Sequence, residues 1–295
     1  MSIREERFDD AKDAMGFLES YIHDYEGFQF RGHQDSIYRL QSTWFRRYSR
    51  LSHDMPFFLK QNLDLFKTCI MKMGAAPQGC STNMDWLEFA RHHGLPSPLI
   101  DFTASPYIAL FFAFSEVPNA NPAQTKPDYV SVNCLNVFAL AWGVLLNQYE
   151  EQQGQFERME EEFSGFLNPS NDIFEGGFTK GIHFIKSPGV HNLRMQKQIG
   201  AFVYDGREYS EEIPDFEAFL DSINEDNLPD SQPEPLRGPA LTKVEIHSKC
   251  RTEVLTRLEL MGINGLALFG DEFGAAIDVY NTDHYHPKSM YVRNR

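Results

Sequence analysis

Hydrophobic and polar residues are patterned along the chain in a way that predicts short strands mixed with helices. Apolar residues recur at helical spacing over residues 4–25, 55–73, 84–93, 107–114, 145–163, 216–223 and 253–261. Alternation or short apolar runs predict strands at residues 28–31, 99–103, 130–142, 182–185, 201–204 and 244–247. This uneven succession, with no internal repeat, is typical of an α+β fold rather than a regular βαβ array.

Glycine, proline and helix-capping residues indicate where these elements begin and end. Gly32 is expected to end the first strand, and Ser105-Pro106 supplies a helix N-cap and a first helical residue. Residues 164–180 predict a loop, and the acidic residues 209–239 predict an insertion. We therefore expect a single α+β domain, residues 27–295, with mixed or antiparallel central sheets flanked by helices. An N-terminal helix within residues 1–26 is expected to pack on it.

The net charge of the chain restricts the class of ligand that we expect it to bind. The chain carries 27 Lys and Arg against 42 Asp and Glu, a formal net charge of -15. Nucleic-acid binding is disfavoured, because gripping a phosphate backbone needs a broad basic surface. A local basic pocket for a small phosphate ligand remains compatible with this balance. One basic run stands out, with arginines at positions 39, 46, 47 and 50.

Other composition features point to a cytoplasmic setting. The four cysteines include no Cys-x-x-Cys pair, so neither a zinc cluster nor any other metal site is expected. Residues 1–6 lack the apolar core of a signal peptide, and no run of eighteen apolar residues predicts a membrane span.

Three clusters could carry chemistry. In Phe30-Arg31-Gly32-His33-Gln34, an arginine at a strand end could aim its guanidinium at a phosphate or carboxylate, or could simply be a surface residue. In residues 91–106, His92 could act as a general acid or base, and Asp101 could orient it or hold an arginine. In isolation, the same residues also suit a helix terminus and a buried hydrogen-bond anchor.

Thr103 and Ser105 belong to the second cluster, and Arg194 and Gln198 to the third, at residues 194–202. The two hydroxyls also suit a strand end and an N-cap, and Gln198 could bind a sugar hydroxyl or cap nearby backbone. The chain has no Gly-x-Gly-x-x-Gly after a strand, no P-loop lysine and no Gly-x-Ser-x-Gly. The commonest nucleotide-binding and hydrolase motifs are therefore missing.

Taken together, the clusters resemble the FRG family over roughly residues 28–280. That family pairs an aromatic-Arg-Gly motif with a later His-x-Gly-Leu-Pro block and an Arg-x-x-x-Gln-x-Gly-x-Phe segment. The block matches here at His92, Gly94, Leu95, Pro96, Leu99, Asp101, Thr103, Ser105 and Pro106, and the segment at Arg194, Gln198, Gly200 and Phe202. Arg91, His93 and Pro98 depart from the usual Gln, aromatic residue and Arg.

A second, partial resemblance is to ADP-ribosyltransferases of the Arg-Ser-Glu class, because Arg31, Thr103-Ala104-Ser105 and Gln198 follow the same order. It implies an ADP-ribosyltransferase-like fold and NAD as a substrate. Arg31 would clamp the pyrophosphate, and Thr103 and Ser105 would shape the nicotinamide-ribose pocket. The residues expected to bind NAD are Arg31, Gly32, Thr103, Ser105 and Arg194, and those expected to act catalytically are Gln198, His92 and Asp101.

Three functions follow as hypotheses. The leading one is a nucleotide-accommodating cleft that transfers ADP-ribose from NAD or cleaves NAD, in a bacterial toxin or antiphage effector with a protein target. The second is a non-catalytic module that binds a nucleotide or a protein. It is favoured because Gln198 places a neutral amide where a carboxylate would stabilise an oxocarbenium ion. The third is a nuclease or hydrolase that uses His92 and Asp101.

Overall fold

The computed structural model describes residues 3–22, 27–48, 54–75, 77, 79–115, 127–149, 165–166, 174–175, 177–186, 193–208, 213–223 and 238–285. The strands are β1 (Ile3–Phe8), β2 (Phe28–His33), β3 (Leu99–Thr103), β4 (Tyr129–Asn136), β5 (Ile182–Lys186), β6 (Gly200–Asp205) and β7 (Leu241–His247). They form a seven-stranded sheet in the order β1-β7-β4-β2-β3-β6-β5. Only β1 and β7 pair in parallel; the other neighbouring strands are antiparallel.

Helices flank this sheet. They are α1 (Ala11–Glu19), α2 (Thr43–Tyr48), α3 (Met55–Lys72), α4 (Asn83–His92), α5 (Pro106–Phe114), α6 (Val137–Tyr149), α7 (Leu193–Lys197), α8 (Phe216–Ser222), α9 (Arg251–Leu260), α10 (Gly265–Phe269) and α11 (Glu272–Tyr285). The α+β fold with a mixed sheet is therefore confirmed. In the described ranges, no helix has the length and apolar character needed to cross a membrane.

The predicted helix over residues 4–25 is wrong at its beginning. Residues Ile3–Phe8 form β1, which pairs with Leu241–Ile246 of β7. This long-range pairing overrides the local helical spacing. Helix α1 begins only at Ala11, where the Asp10 carboxylate accepts the backbone N–H groups of Lys12 and Asp13 at 2.8 and 3.1 Å. The proposed domain division at residue 26 stays a prediction.

The predicted strand over residues 130–142 is also too long. Strand β4 ends at Asn136, whose Oδ1 accepts the backbone N–H groups of Phe138 and Ala139 at 3.1 Å each. The asparagine side chain thereby satisfies N–H groups at the start of α6, and the apolar run continues as a buried helix. Residues 150–163 of the predicted helix, and most of the predicted loop and acidic insertion, lie outside the described residues.

Gly32 has a packing role that the sequence reading missed, since it lies inside β2 rather than at its end. A β-carbon at this position would lie 2.6 Å from the Ala113 backbone nitrogen and closer still to the Ala109 carbonyl oxygen. Helix α5 can therefore approach β2 only because position 32 has no side chain. This approach packs the apolar α5 against Phe28 and Phe30 in the core.

We predict that Gly32→Ala lowers the free energy of unfolding by ~1–3 kcal/mol or more, the usual cost of overpacking. The added β-carbon would collide with the backbone of α5, which cannot move aside as a flexible side chain could. Gly16→Ala is the matched control, since no atom lies within 4 Å of its added β-carbon, and it should stabilise α1 by roughly 0.5–1 kcal/mol. Urea denaturation of both variants measures this. Equal stability of Gly32→Ala and the wild type would contradict the packing.

Candidate functional site

A cleft opens between β2 and β3. Strand β2 pairs along its whole length with β4, but it meets β3 only where Phe30 faces Thr103. Beyond that pair the strands separate, and Arg31 Nη1 donates to the Asp101 carbonyl oxygen at 2.8 Å. The Arg31 side chain therefore binds a backbone carbonyl of β3 at the point where β2 and β3 no longer pair. The cleft holds a cavity of about 330 Å³.

The lining of this cavity is basic, polar and aromatic. Three arginines reach it, Arg31, Arg39 and Arg46, together with the single carboxylate of Asp101. The other lining residues are Phe30, Gly32, His33, Gln34, Tyr38, Gln41, Phe102, Thr103 and Phe112. Its size is at the lower end of the ~300–1,000 Å³ range of small-molecule sites.

Asp101 joins two guanidinium groups. Its Oδ2 forms an ion pair with Arg91 Nη1 and lies 3.4 Å from Arg31 Nη1. Burial opposes ionisation, but Arg91 and then Arg31 outweigh it and hold the pKa of Asp101 below its ordinary value of 3.8. The Asp101 side chain is 41% exposed, whereas that of Arg91 is 14% exposed and also packs over the Phe202 ring. Asp101 is therefore an ionised anchor at the wall of the cleft.

Arg31 is fixed on a second side by His33. Arg31 Nε donates to His33 Nε2 at 3.0 Å. Burial and the Arg31 charge lower the pKa of His33 to about 3, so its imidazole is neutral at physiological pH. Burial likewise lowers the pKa of Arg31, and Asp101 opposes this shift. His33 and Asp101 therefore bind the Arg31 guanidinium at two different nitrogen atoms, Nε and Nη1.

The other two cleft arginines differ in their partners. Arg39 forms a two-point ion pair with Asp215, at 2.6 and 2.8 Å, and Asp215 also caps α8. Arg46, in the exposed last turn of α2, forms no side-chain ion pair or hydrogen bond with the described part of the chain. Its charge nevertheless acts on both Arg31 and His33. Arg46 is therefore available to an anion at the rim.

The hydroxyl residues of the second cluster are used by the backbone. Thr103 Oγ1 donates to the Gln198 carbonyl oxygen at 2.6 Å and accepts the Ser105 N–H at 3.2 Å. Ser105 Oγ accepts the Ile108 N–H at 3.3 Å and caps α5. Of this pair, only Thr103 lines the cavity.

Arg194 and Gln198 point toward the C-terminal helices. Arg194 Nη2 donates to Asp271 Oδ2 at 2.9 Å, and its guanidinium lies 4.5 Å from the centre of the Phe269 ring. Gln198 Nε2 donates to the Leu268 carbonyl oxygen at 3.4 Å. Neither side chain lines the cavity, so the third cluster ties α7 to α10 and to the start of α11.

The last predicted site residue, His92, ends α4 and also lies outside the cavity lining. Burial and the neighbouring Arg91 charge lower its pKa to about 4. The cavity thus brings together Arg31, Gly32, Asp101 and Thr103, and leaves His92, Ser105, Arg194 and Gln198 outside its lining. The catalytic and NAD-binding roles assigned to all eight stay predictions. Within the described ranges, no three His, Cys, Asp or Glu side chains are placed to hold a metal ion.

Sequence reasoning did not connect Arg46, Tyr38 or Phe112 with the site. The basic run around Arg46 was visible, but only the position of α2 beside β3 brings it to the cleft. Phe112 belongs to an apolar helix, and its place in the cavity follows from the close approach of α5 to Gly32.

Both strands that border the cleft lie in the segment that matches a known family. Residues 26–121 match the family model of the FRG domain. The chain contains an FRG domain. No curated protein and no solved structure matches the chain. The FRG match runs from just before β2 to just beyond α5, so it includes Arg31, Arg46, Asp101 and Thr103 and excludes the segment at residues 194–202.

We predict that Asp101→Asn lowers the free energy of unfolding at pH 7 by ~1–3 kcal/mol, the range for hydrogen bonds to charged groups discounted for solvent screening. Because the pKa of Asp101 is lower in the folded protein, its stabilisation is present above the ordinary value of 3.8 and is lost as the pH falls through the folded-state pKa. The difference in stability between wild type and variant should therefore shrink as the pH falls below about 4, the ordinary carboxyl pKa, and vanish below the folded-state pKa. Urea denaturation between pH 2.5 and 7 tests this.

The control is Asp64→Asn, which removes an exposed ion pair with Lys60 and should cost under about 0.5 kcal/mol. A constant difference between wild type and Asp101→Asn over this pH range would show that the Asp101 charge does not stabilise the fold.

Proposed function

We propose that the FRG domain binds a phosphate-bearing nucleotide in the cleft between β2 and β3. One observation carries this proposal: in a chain with a formal net charge of -15, three arginines and one carboxylate line the same cavity. Positive charge gathered in a concave site with low-dielectric walls attracts small anions. The acidic remainder of the chain disfavours a long nucleic acid, so a small ligand is the better fit.

Arg31 and Arg46 would hold the phosphate. Arg31 Nε donates to His33 and Nη1 to Asp101, which leaves Nη2 for a ligand oxygen. Arg46 supplies a second guanidinium that no described residue neutralises. Charge-assisted hydrogen bonds from arginine suit phosphate oxygens.

The aromatic lining offers a place for a base. Tyr38 is 45% exposed at the cavity wall, and Phe112 also contributes to the lining. Stacking of a base on an aromatic ring contributes ~1–3 kcal/mol and is tolerant of base identity. The cleft therefore offers both parts of a nucleotide a partner of matching chemistry.

We expect calorimetric titration to show binding of AMP and ADP-ribose, and much weaker binding of adenosine, which lacks phosphate. Arg46→Gln should weaken AMP binding by about 10-fold or more, because a hydrogen bond to a charged group is worth ~1.5–3 kcal/mol. Arg47→Gln is the matched control: it removes the same charge from the next exposed position of α2, outside the cavity lining. Equal losses in both variants, or adenosine binding as tightly as AMP, would contradict the proposal.

NAD cleavage or ADP-ribosyl transfer is a second candidate, supported by Asp101. Among the described residues that line the cavity, Asp101 is the only carboxylate. An ionised carboxylate there could stabilise positive charge on the ribose as the C1′–nitrogen bond breaks. Nicotinamide would leave with the bonding electron pair, and water or a target nucleophile would add to C1′ and lose a proton.

Chromatographic assay of nicotinamide release from NAD tests this candidate. Release should occur with the wild type and Asp64→Asn and be lost in Asp101→Asn under conditions where all three remain folded. Binding of NAD without release would identify the non-catalytic module instead. The nuclease or hydrolase hypothesis gains no support from the described geometry, because His92 lies outside the cavity lining. A cytoplasmic effector with a protein target remains the expected setting for the transferase.

A further inference from the structure

We propose that His33, oriented by Asn133, is a positioning residue that fixes the Arg31 guanidinium in the cleft. The inference rests on the proposed function only in treating Arg31 as a phosphate-binding group. It adds Asn133, gives His33 a role that the sequence motifs did not assign, and states which atoms donate and which accept. The contacts run from Arg31 on β2 through His33 on the same strand to Asn133 on β4.

The first link defines the tautomer of His33. Arg31 Nε always carries a proton, and it lies 3.0 Å from His33 Nε2. His33 Nε2 must therefore accept, and in a neutral imidazole the ring proton then resides on Nδ1. This assignment follows from the permanent donor character of Arg31.

The second link defines the orientation of the Asn133 amide. His33 Nδ1 lies 3.2 Å from Asn133 Nδ2, while Asn133 Oδ1 is buried without a partner among the described residues. Two N–H groups facing each other cannot form a hydrogen bond, and in this orientation Asn133 Nδ2 keeps only a long 3.5 Å contact with the Arg31 carbonyl oxygen. Turning the amide gives up that long contact, but it lets Oδ1 accept from His33 Nδ1 at 3.2 Å and gives the buried oxygen a partner.

The surroundings keep this arrangement constant with pH. His33 is 8% exposed and Asn133 is fully buried. Burial is the largest cause that lowers the pKa of His33, and the charges of Arg31, Lys243 and Arg46 lower it further. A hydrogen bond with the Tyr38 backbone raises this pKa, but burial and the cationic groups outweigh it. With a pKa of about 3, His33 remains a hydrogen-bond acceptor for Arg31 at physiological pH.

This arrangement has a consequence for recognition. With Nε held by His33 and Nη1 by Asp101, Arg31 can offer the ligand its Nη2 but not a free two-point fork. The ligand phosphate would then bridge Arg31 and Arg46 rather than sit on one guanidinium. His33 thereby determines which donor of Arg31 faces the ligand.

Long-range ¹H–¹⁵N NMR on the full chain tests the tautomer directly, with His33 assigned by comparison with His33→Gln. We expect one neutral Nδ1-protonated form from pH 5 to 8. An Nε2-protonated ring, or titration with a midpoint near 6.5, would overturn the proposal. This readout needs no ligand, so it stands apart from the proposed function, which fails separately if the wild type binds neither AMP nor ADP-ribose.

Binding by the folded variants gives the second test. His33→Leu removes the acceptor and should weaken AMP binding by about 10-fold, comparable to one lost charge-assisted contact. His33→Gln retains an acceptor oxygen and should recover most of that loss. Equal losses in both variants would assign His33 a packing role only. If neither variant folds, the tautomer measurement on the wild type decides.

Discussion

The hydrogen bond from Arg31 Nη1 to the Asp101 carbonyl oxygen marks the constraint on which the rest of the site depends. Strands β2 and β3 share one register pair, and beyond it the Asp101 carbonyl has no register partner on β2. Arg31 supplies that partner at 2.8 Å, so the sheet can open without leaving the acceptor unsatisfied. The same guanidinium thereby supports the fold and lines the cavity.

Several elements keep this opening in place. Gly32 lets α5 lie close to β2, which brings Phe112 to the cavity. Asp215 holds Arg39 from the far side, and Arg91 holds Asp101. Each contact neutralises or orients a charged group that would be costly to leave unpaired in a partly buried site. Arg46 is the exception at the rim, since no described side chain neutralises it.

The parts of the fold that could be predicted are those determined by local signals. Ser105 and Pro106 indicate the start of α5, and the apolar run before them corresponds to β3. Strand β1 could not be predicted, because it depends on pairing with residues more than 230 positions away. Arg31 and Asp101 could be predicted to belong together from their family pattern. The contribution of Arg46 could not, because it depends on how α2 packs beside β3.

The FRG match and the geometry agree in separating the third cluster from the cleft. Residues 26–121 include both strands that border the cleft, whereas Arg194 and Gln198 lie outside this segment and tie α7 to the C-terminal helices. The backbone of Gln198 still touches the cleft through Thr103, whose hydroxyl donates to it. The third motif is therefore connected to the site through backbone support, and its amide is turned away from the cavity.

The most direct test of the central claim is a crystal structure of the full chain with ADP-ribose. The account predicts difference density between β2 and β3, with phosphate oxygens within hydrogen-bond distance of Arg31 Nη2 and the Arg46 guanidinium. Density for the ligand at another surface, with the Arg31–Asp101 cleft empty, would contradict it.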